Sequence, residues 1–106
     1  MAEFPIAARY VTCGIAERVG LDLQAVIWGL IDERQAKGAS LDYLQTFELS
    51  MEFALGNIYQ KVVHRQEVPA FSQTFYYPTI ERPLRTKIWV IDDGSSYATM
   101  LFPEEY

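Results

Sequence analysis

A chain of 106 residues, half of them hydrophobic and 14% aromatic, is long enough for one core and too short for two, so residues 1–106 are expected to form a single globular domain. Fourteen acids against nine bases leave a net charge of −5, which disfavours nucleic acid as a partner because phosphate binding draws on Lys and Arg. No apolar run approaches the ~20 residues of a membrane span, "MAEFPIAARY" has neither the basic nor the apolar region of a signal peptide, and the single cysteine excludes an internal disulfide and fits a reducing compartment; the chain is therefore read as cytoplasmic.

In chain order, "RYVTC" (residues 9–13) is β-branched and aromatic and predicts a short strand, followed by a loop, "GIAERVG". Asp22 stands where an N-cap belongs. Leu23, Val26, Ile27, Leu30 and Ile31 then recur at helical spacing, and Gly38 offers a stop after Lys37, which predicts one main helix from about Asp22 to Lys37. Trp28 flanks the apolar stripe, either closing the core edge or exposed as an anchor for a partner.

From Tyr43 the period falls to two. Phe47, Leu49, Met51, Phe53 and Leu55 alternate with polar residues, "LGN" at 55–57 offers a turn, and "IYQKVVHRQ" reads as the returning strand of a hairpin ended by Pro69. Phe71, Phe75 and Tyr77 alternate with Ser72, Thr74 and Tyr76 in a further strand closed by Pro78. After the loop "PTIERPLRT" come "KIWVID", a turn at "DGSS" and "YATMLF". The sum is an α+β fold, a mostly antiparallel sheet of about five to six strands with one helix packed on one face. One helix covers only part of such a sheet, leaving the other face curled on itself or open to a partner.

"RYVTCGI", "LQAVIWGLID", "LDYLQTFELS" and "VVHRQEVP", in this order and spacing across about residues 9–70, resemble the domain-of-unknown-function family 960 of Gram-positive bacteria. The resemblance implies a setting, often prophages and other mobile elements, and brings no reaction or site.

Metal chemistry has too few ligands: one His and one Cys cannot complete a zinc site, and Asp92, Asp93 and Ser95 lack the spacing of a calcium loop. Gly14, Gly20 and Gly29 match no phosphate-binding fingerprint, and Ser40, Ser50, Ser72, Ser95 and Ser96 sit in no nucleophile motif. No metal or cofactor is expected, and no small-molecule ligand is evident. Cys13 and His64 are the one Cys–His pair available for nucleophilic catalysis. The plainer readings are that Cys13 is a small buried hydrophobe and that His64, on the buried face with Ile58, Gln60, Val62 and Gln66, is a neutral structural histidine bonded to a backbone group. Tyr59, Lys61, Val63, Arg65 and Glu67 take the solvent face, where Arg65 and Glu67 would make weak cross-strand pairs.

"FYYPTIERPLRTKIW" interleaves Phe75, Tyr76, Tyr77 and Trp89 with Arg82, Arg85 and Lys87, a pattern able to stack on and neutralise single-stranded nucleic acid; the alternative is a solvated loop between strands. The leading reading is a non-enzymatic binding or accessory protein that docks a protein partner or a second copy of itself through a sheet face or the proline-containing loop. Trp28, His64, Arg65, Tyr76, Tyr77, Arg82 and Arg85 are its candidate binding residues. The rivals are a small enzyme using Cys13 and His64, and nucleic-acid binding through Arg82, Arg85 and Lys87.

Overall fold

A computed structural model describes residues 2–5, 8–94 and 96–106. The elements run β1 (Arg9–Val11), α1 (Cys13–Arg18), α2 (Leu21–Ala36), β2 (Leu44–Ala54), β3 (Asn57–Gln66), β4 (Phe71–Tyr77), β5 (Thr86–Asp92), β6 (Ala98–Leu101) and a 3₁₀ turn at Pro103–Glu105. The six strands form one open sheet in the order β1-β6-β5-β2-β3-β4. Ser95, assigned from sequence to the β5–β6 turn, lies outside the described residues.

The expected α+β class holds, with two corrections. The sheet is mixed: β1 runs parallel to β6, with Tyr10 opposite Thr99, while the other four pairings are antiparallel. Helices α1 and α2 carry the chain from β1 across to the middle of the sheet, so the first strand pairs with the last. Second, the described residues hold two α-helices. The expected loop after Thr12 is α1, capped by Thr12, whose Oγ1 accepts from Ile15 N at 3.3 Å and donates to Glu105 Oε1 at 2.7 Å. Glu105 Oε1 also accepts from Phe102 N at 2.8 Å, which ties the C-terminal turn to α1.

Helix α2 begins one residue earlier than expected. Gly20 is the N-cap, and Asp22 sits inside the first turn, where its carboxylate accepts from Leu23 N at 2.8 Å and Glu81 N at 2.9 Å. These bonds, the one to Glu81 above all, hold Asp22 below its ordinary carboxylate range. The apolar stripe Leu23, Ile27, Leu30 and Ile31 is buried in one cluster with Phe47, Leu49, Val62, Ile88, Val90 and Met100 from four strands, and Val26 is packed against it. Arg9 fastens β1 to α2: it donates to Phe4 O and Pro5 O, pairs with both oxygens of Asp32, and lies 4.7 Å above the Trp28 ring.

The β2–β3 hairpin turns through two left-handed residues, Leu55 (φ 53°) and Gly56 (φ 78°), with Ala54 opposite Asn57. This pattern matches the right-handed twist of the flanking strands. No helix among the described residues is long and apolar enough to cross a membrane.

Candidate functional site: a basic cleft on the open sheet face

Alternation along β2 and β3 sends Phe47, Leu49, Val62 and His64 into the core and Thr46, Glu48, Ser50, Lys61, Val63 and Arg65 to the opposite face. Register extends that face sideways. Glu48 lies opposite Val63 on β3 and Lys87 on β5, and Arg65 lies opposite Thr46 on β2 and Ser72 on β4. The strands thus bring together cations that lie far apart in the chain.

Two adjoining clefts open on this face and share Glu48 and Arg65. The larger, about 460 Å³, runs from Tyr43 and Leu44 past Arg65 to Ser72 and is lined by three acids, Asp42, Glu48 and Glu67, so the positive charge is confined to its neighbour. The smaller, about 380 Å³, is lined by Lys61, Arg65, Arg85 and Lys87 against one acid, Glu48. Arg65 Nη1 pairs with Glu48 at 2.9 Å and Lys61 Nζ with Glu52 at 3.2 Å, all four side chains in contact with water. Arg85 and Lys87 have no acid within ion-pair distance among the described residues. In a chain of net charge −5 this is a local excess of positive charge, with Lys61, Arg65 and Lys87 held on strands and Arg85 at the end of the loop that enters β5. Guanidinium and ammonium groups so placed bind carboxylate or phosphate oxygens, the former in bidentate geometry.

The structure divides the sequence-derived candidates. Arg65 and Arg85 line the cleft with Lys87, and half-exposed Tyr76 stands on the same face, its ring 5.9 Å from Lys61 Nζ. Arg82 does not join them; it lies near Gly20 and Asp22 at the start of α2, so Arg82, Arg85 and Lys87 are not one unit. Trp28 is half-buried beneath Arg9 and closes the core edge. Tyr77 stacks with Phe75 at 6.4 Å against the core, and burial raises its hydroxyl pKa, with Glu33 adding to the shift. Glu67, expected to pair across strands, falls in the turn after β3 and is exposed.

His64 is 1% exposed on the core side, stacked on Phe47 at 4.4 Å. Its partner is Gln45 Oε1 at 2.7 Å, a side chain where a backbone group was expected. Desolvation, then the nearby Arg34 charge, lowers its pKa to about 4, so the ring is neutral at physiological pH. Cys13 is exposed at the start of α1, which corrects the reading of a buried strand residue. It follows β1 while His64 is on β3, four strand spacings or roughly 19 Å across the sheet. The pair needed for thiol catalysis does not form. Among the described residues no three His, Cys, Asp or Glu side chains gather as metal ligands.

Sequence reasoning left Glu48 and Lys61 out of the site and did not single out Gln45. The period-two pattern already placed Lys61 with Arg65, whereas the link to Arg85 and Lys87 needs the β3-β2-β5 strand order.

No curated protein matches the chain. Among solved structures it is similar to a crystal structure of a protein of unknown function from Enterococcus faecalis, at 27% identity with a TM-score of 0.74, covering 100% of this chain and 98% of that one. The family model for a staphylococcal protein of unknown function, DUF960, matches residues 8–105, which extends the resemblance seen at residues 9–70 through the C-terminal strands. The chain belongs to the DUF960 family.

Proposed function

We propose that this protein is a non-enzymatic binding module that docks an acidic segment of another protein in the cleft on its open sheet face. The observation that carries the reading is the cluster of Lys61, Arg65, Arg85 and Lys87 around one glutamate in an otherwise acidic chain. Two of those cations have no internal acid partner among the described residues, so an acidic ligand satisfies them without breaking an existing ion pair. The adjoining cleft adds apolar surface at Tyr43 and Leu44, while its acids, Asp42, Glu48 and Glu67, direct an acidic ligand to the Arg85–Lys87 end. Protein fits better than nucleic acid because the excess is local and the whole chain is negative, which opposes approach of a polyphosphate.

Titration of isotope-labelled protein with a glutamate-rich peptide, followed by amide chemical shifts, tests this reading. Shifts centred on Lys61, Arg65, Arg85 and Lys87, lost in Arg85→Glu/Lys87→Glu, are expected. Shifts elsewhere, or none, overturn it, as does tighter binding of a single-stranded oligonucleotide of equal charge.

A further inference from the structure

The edge of a sheet presents a row of backbone donors and acceptors that natural proteins usually guard with charges, prolines, bulges or short strands. The two edges here differ. β1 has three residues, carries Arg9 and pairs in parallel. β4, "FSQTFYY", has seven residues, no charge, no proline and a high content of β-forming side chains. Ser72, Gln73, Thr74 and Tyr76 along it are exposed, while Phe75 and Tyr77 form a half-buried aromatic ledge at the rim of the core.

We infer that β4 is a self-association edge, pairing antiparallel with β4 of a second copy about a two-fold axis at Thr74. Thr74 is the middle residue of the strand, so this register alone pairs all seven residues: Phe71 meets Tyr77 of the second copy, Ser72 meets Tyr76, Gln73 meets Phe75, and Thr74 meets itself. Paired residues share a face in this register, so the ledges of Phe71, Phe75 and Tyr77 meet on the helix side and the two Tyr76 rings flank the axis on the open side. Self-pairing closes after two copies, whereas pairing of β4 with the three-residue β1 of another copy would match unequal edges and continue without end. Pro69 and Pro78 bracket the strand and limit the ladder to this length. A ladder of seven residues is a small contact by the standard of specific interfaces, so the association is expected to depend on concentration. The dimer sheet doubles the six strands of one copy and carries both basic clefts on one continuous face. Arg65 and Lys61 lie on β3, beside Ser72 and Tyr76 of β4, whereas Arg85 and Lys87 lie beyond β2, so the Arg85→Glu/Lys87→Glu variant should lose ligand capture and keep the dimer.

Sedimentation equilibrium from micromolar to millimolar concentration reads the association, and oxidation of Thr74→Cys in a Cys13→Ser background reads the register. A monomer–dimer equilibrium is expected, with loss of the dimer in Thr74→Lys, which sets two like charges together on the axis. The urea midpoint of Thr74→Lys should match that of the wild-type monomer because the side chain is exposed. A covalent dimer should form in the Thr74→Cys variant and not in Ser96→Cys, a distant exposed control. A strict monomer at every concentration overturns the inference. So does an open-ended polymer, a dimer that survives Thr74→Lys, or failure of the Thr74→Cys variant to cross-link.

Discussion

His64 donates from Nε2 to Gln45 Oε1 at 2.7 Å, and the orientation of the Gln45 amide fixes which ring nitrogen carries the proton. Gln45 Nε2 itself donates to Asp42 O and to Gln66 Oε1, both at 2.9 Å, so its oxygen is the atom left to face the ring. Gln66 Nε2 continues to Ser40 O at 3.0 Å and Pro69 O at 2.7 Å. A chain of buried side chains therefore fastens β2, β3 and the loops before β2 and after β3. Every amide in it has partners, so burial costs little, and removing one member leaves the others unsatisfied.

This arrangement sets a pH dependence. The folded pKa of His64 is about 4 against 6.5 when unfolded, so between those values the unfolded chain binds more protons and stability falls as pH falls. The full difference is about 3 kcal/mol at 1.36 kcal/mol per unit, complete by about pH 4. Asp22 and Glu105, held low by backbone hydrogen bonds, act in a different window, from their ordinary 3.8 and 4.5 downward. His64→Gln should cost about 1–3 kcal/mol at pH 7 through the lost ring contacts and altered bonding, leave ligand binding intact, and lose most of the slope between pH 6.5 and 4. Urea unfolding across that range, wild type against variant, checks it; parallel slopes would contradict it.

Ile27 is fully buried and Leu30 is 7% exposed in the cluster beneath α2. Each truncation to Ala should cost about 2–5 kcal/mol, Ile27→Ala the more, because the cavity left between helix and sheet cannot collapse without moving α2. Chemical denaturation measures it, and a loss below about 0.5 kcal/mol would mean the helix face is misplaced.

Gln60 is buried and holds the loop of residues 78–85: its Nε2 donates to Ser50 O at 2.8 Å and Leu84 O at 2.9 Å, and its Oε1 accepts from Leu84 N at 2.7 Å. Gln60→Leu keeps the volume and strands both Leu84 backbone groups, an expected cost of about 2–5 kcal/mol. The sharper readout is amide exchange: Leu84 should lose its protection while Val62 keeps it. Since the same loop carries Arg85, ligand affinity should weaken as well.

Legibility in the sequence followed the range of the interactions. The α2 stripe and the alternation in the parts of β2 and β3 beneath it were readable because each period is set within a few residues, and Leu23, Ile27, Phe47 and Val62 are buried as the pattern requires; Phe53, Leu55 and Ile58 continue the apolar period but are exposed at the hairpin tip. Helix α1 was not, because its six residues depend on Thr12 and on a carboxylate supplied by Glu105, 93 residues away. The parallel β1–β6 pairing was equally hidden, since local pattern says nothing about which strands meet. For the site, Arg65 was singled out as solvent-facing, but Arg85 and Lys87 join it only through the register of β2 between β3 and β5.

The open sheet face as the docking surface is tested most directly by photo-cross-linking in the native cell, with a photoreactive residue at Ser50 on the cleft or at Ala25, exposed on α2. The expected result is a discrete protein adduct from position 50, absent from position 25 and lost when Arg85→Glu and Lys87→Glu are added. Adducts from position 25 alone, or adducts from position 50 that are nucleic acid, would contradict the account.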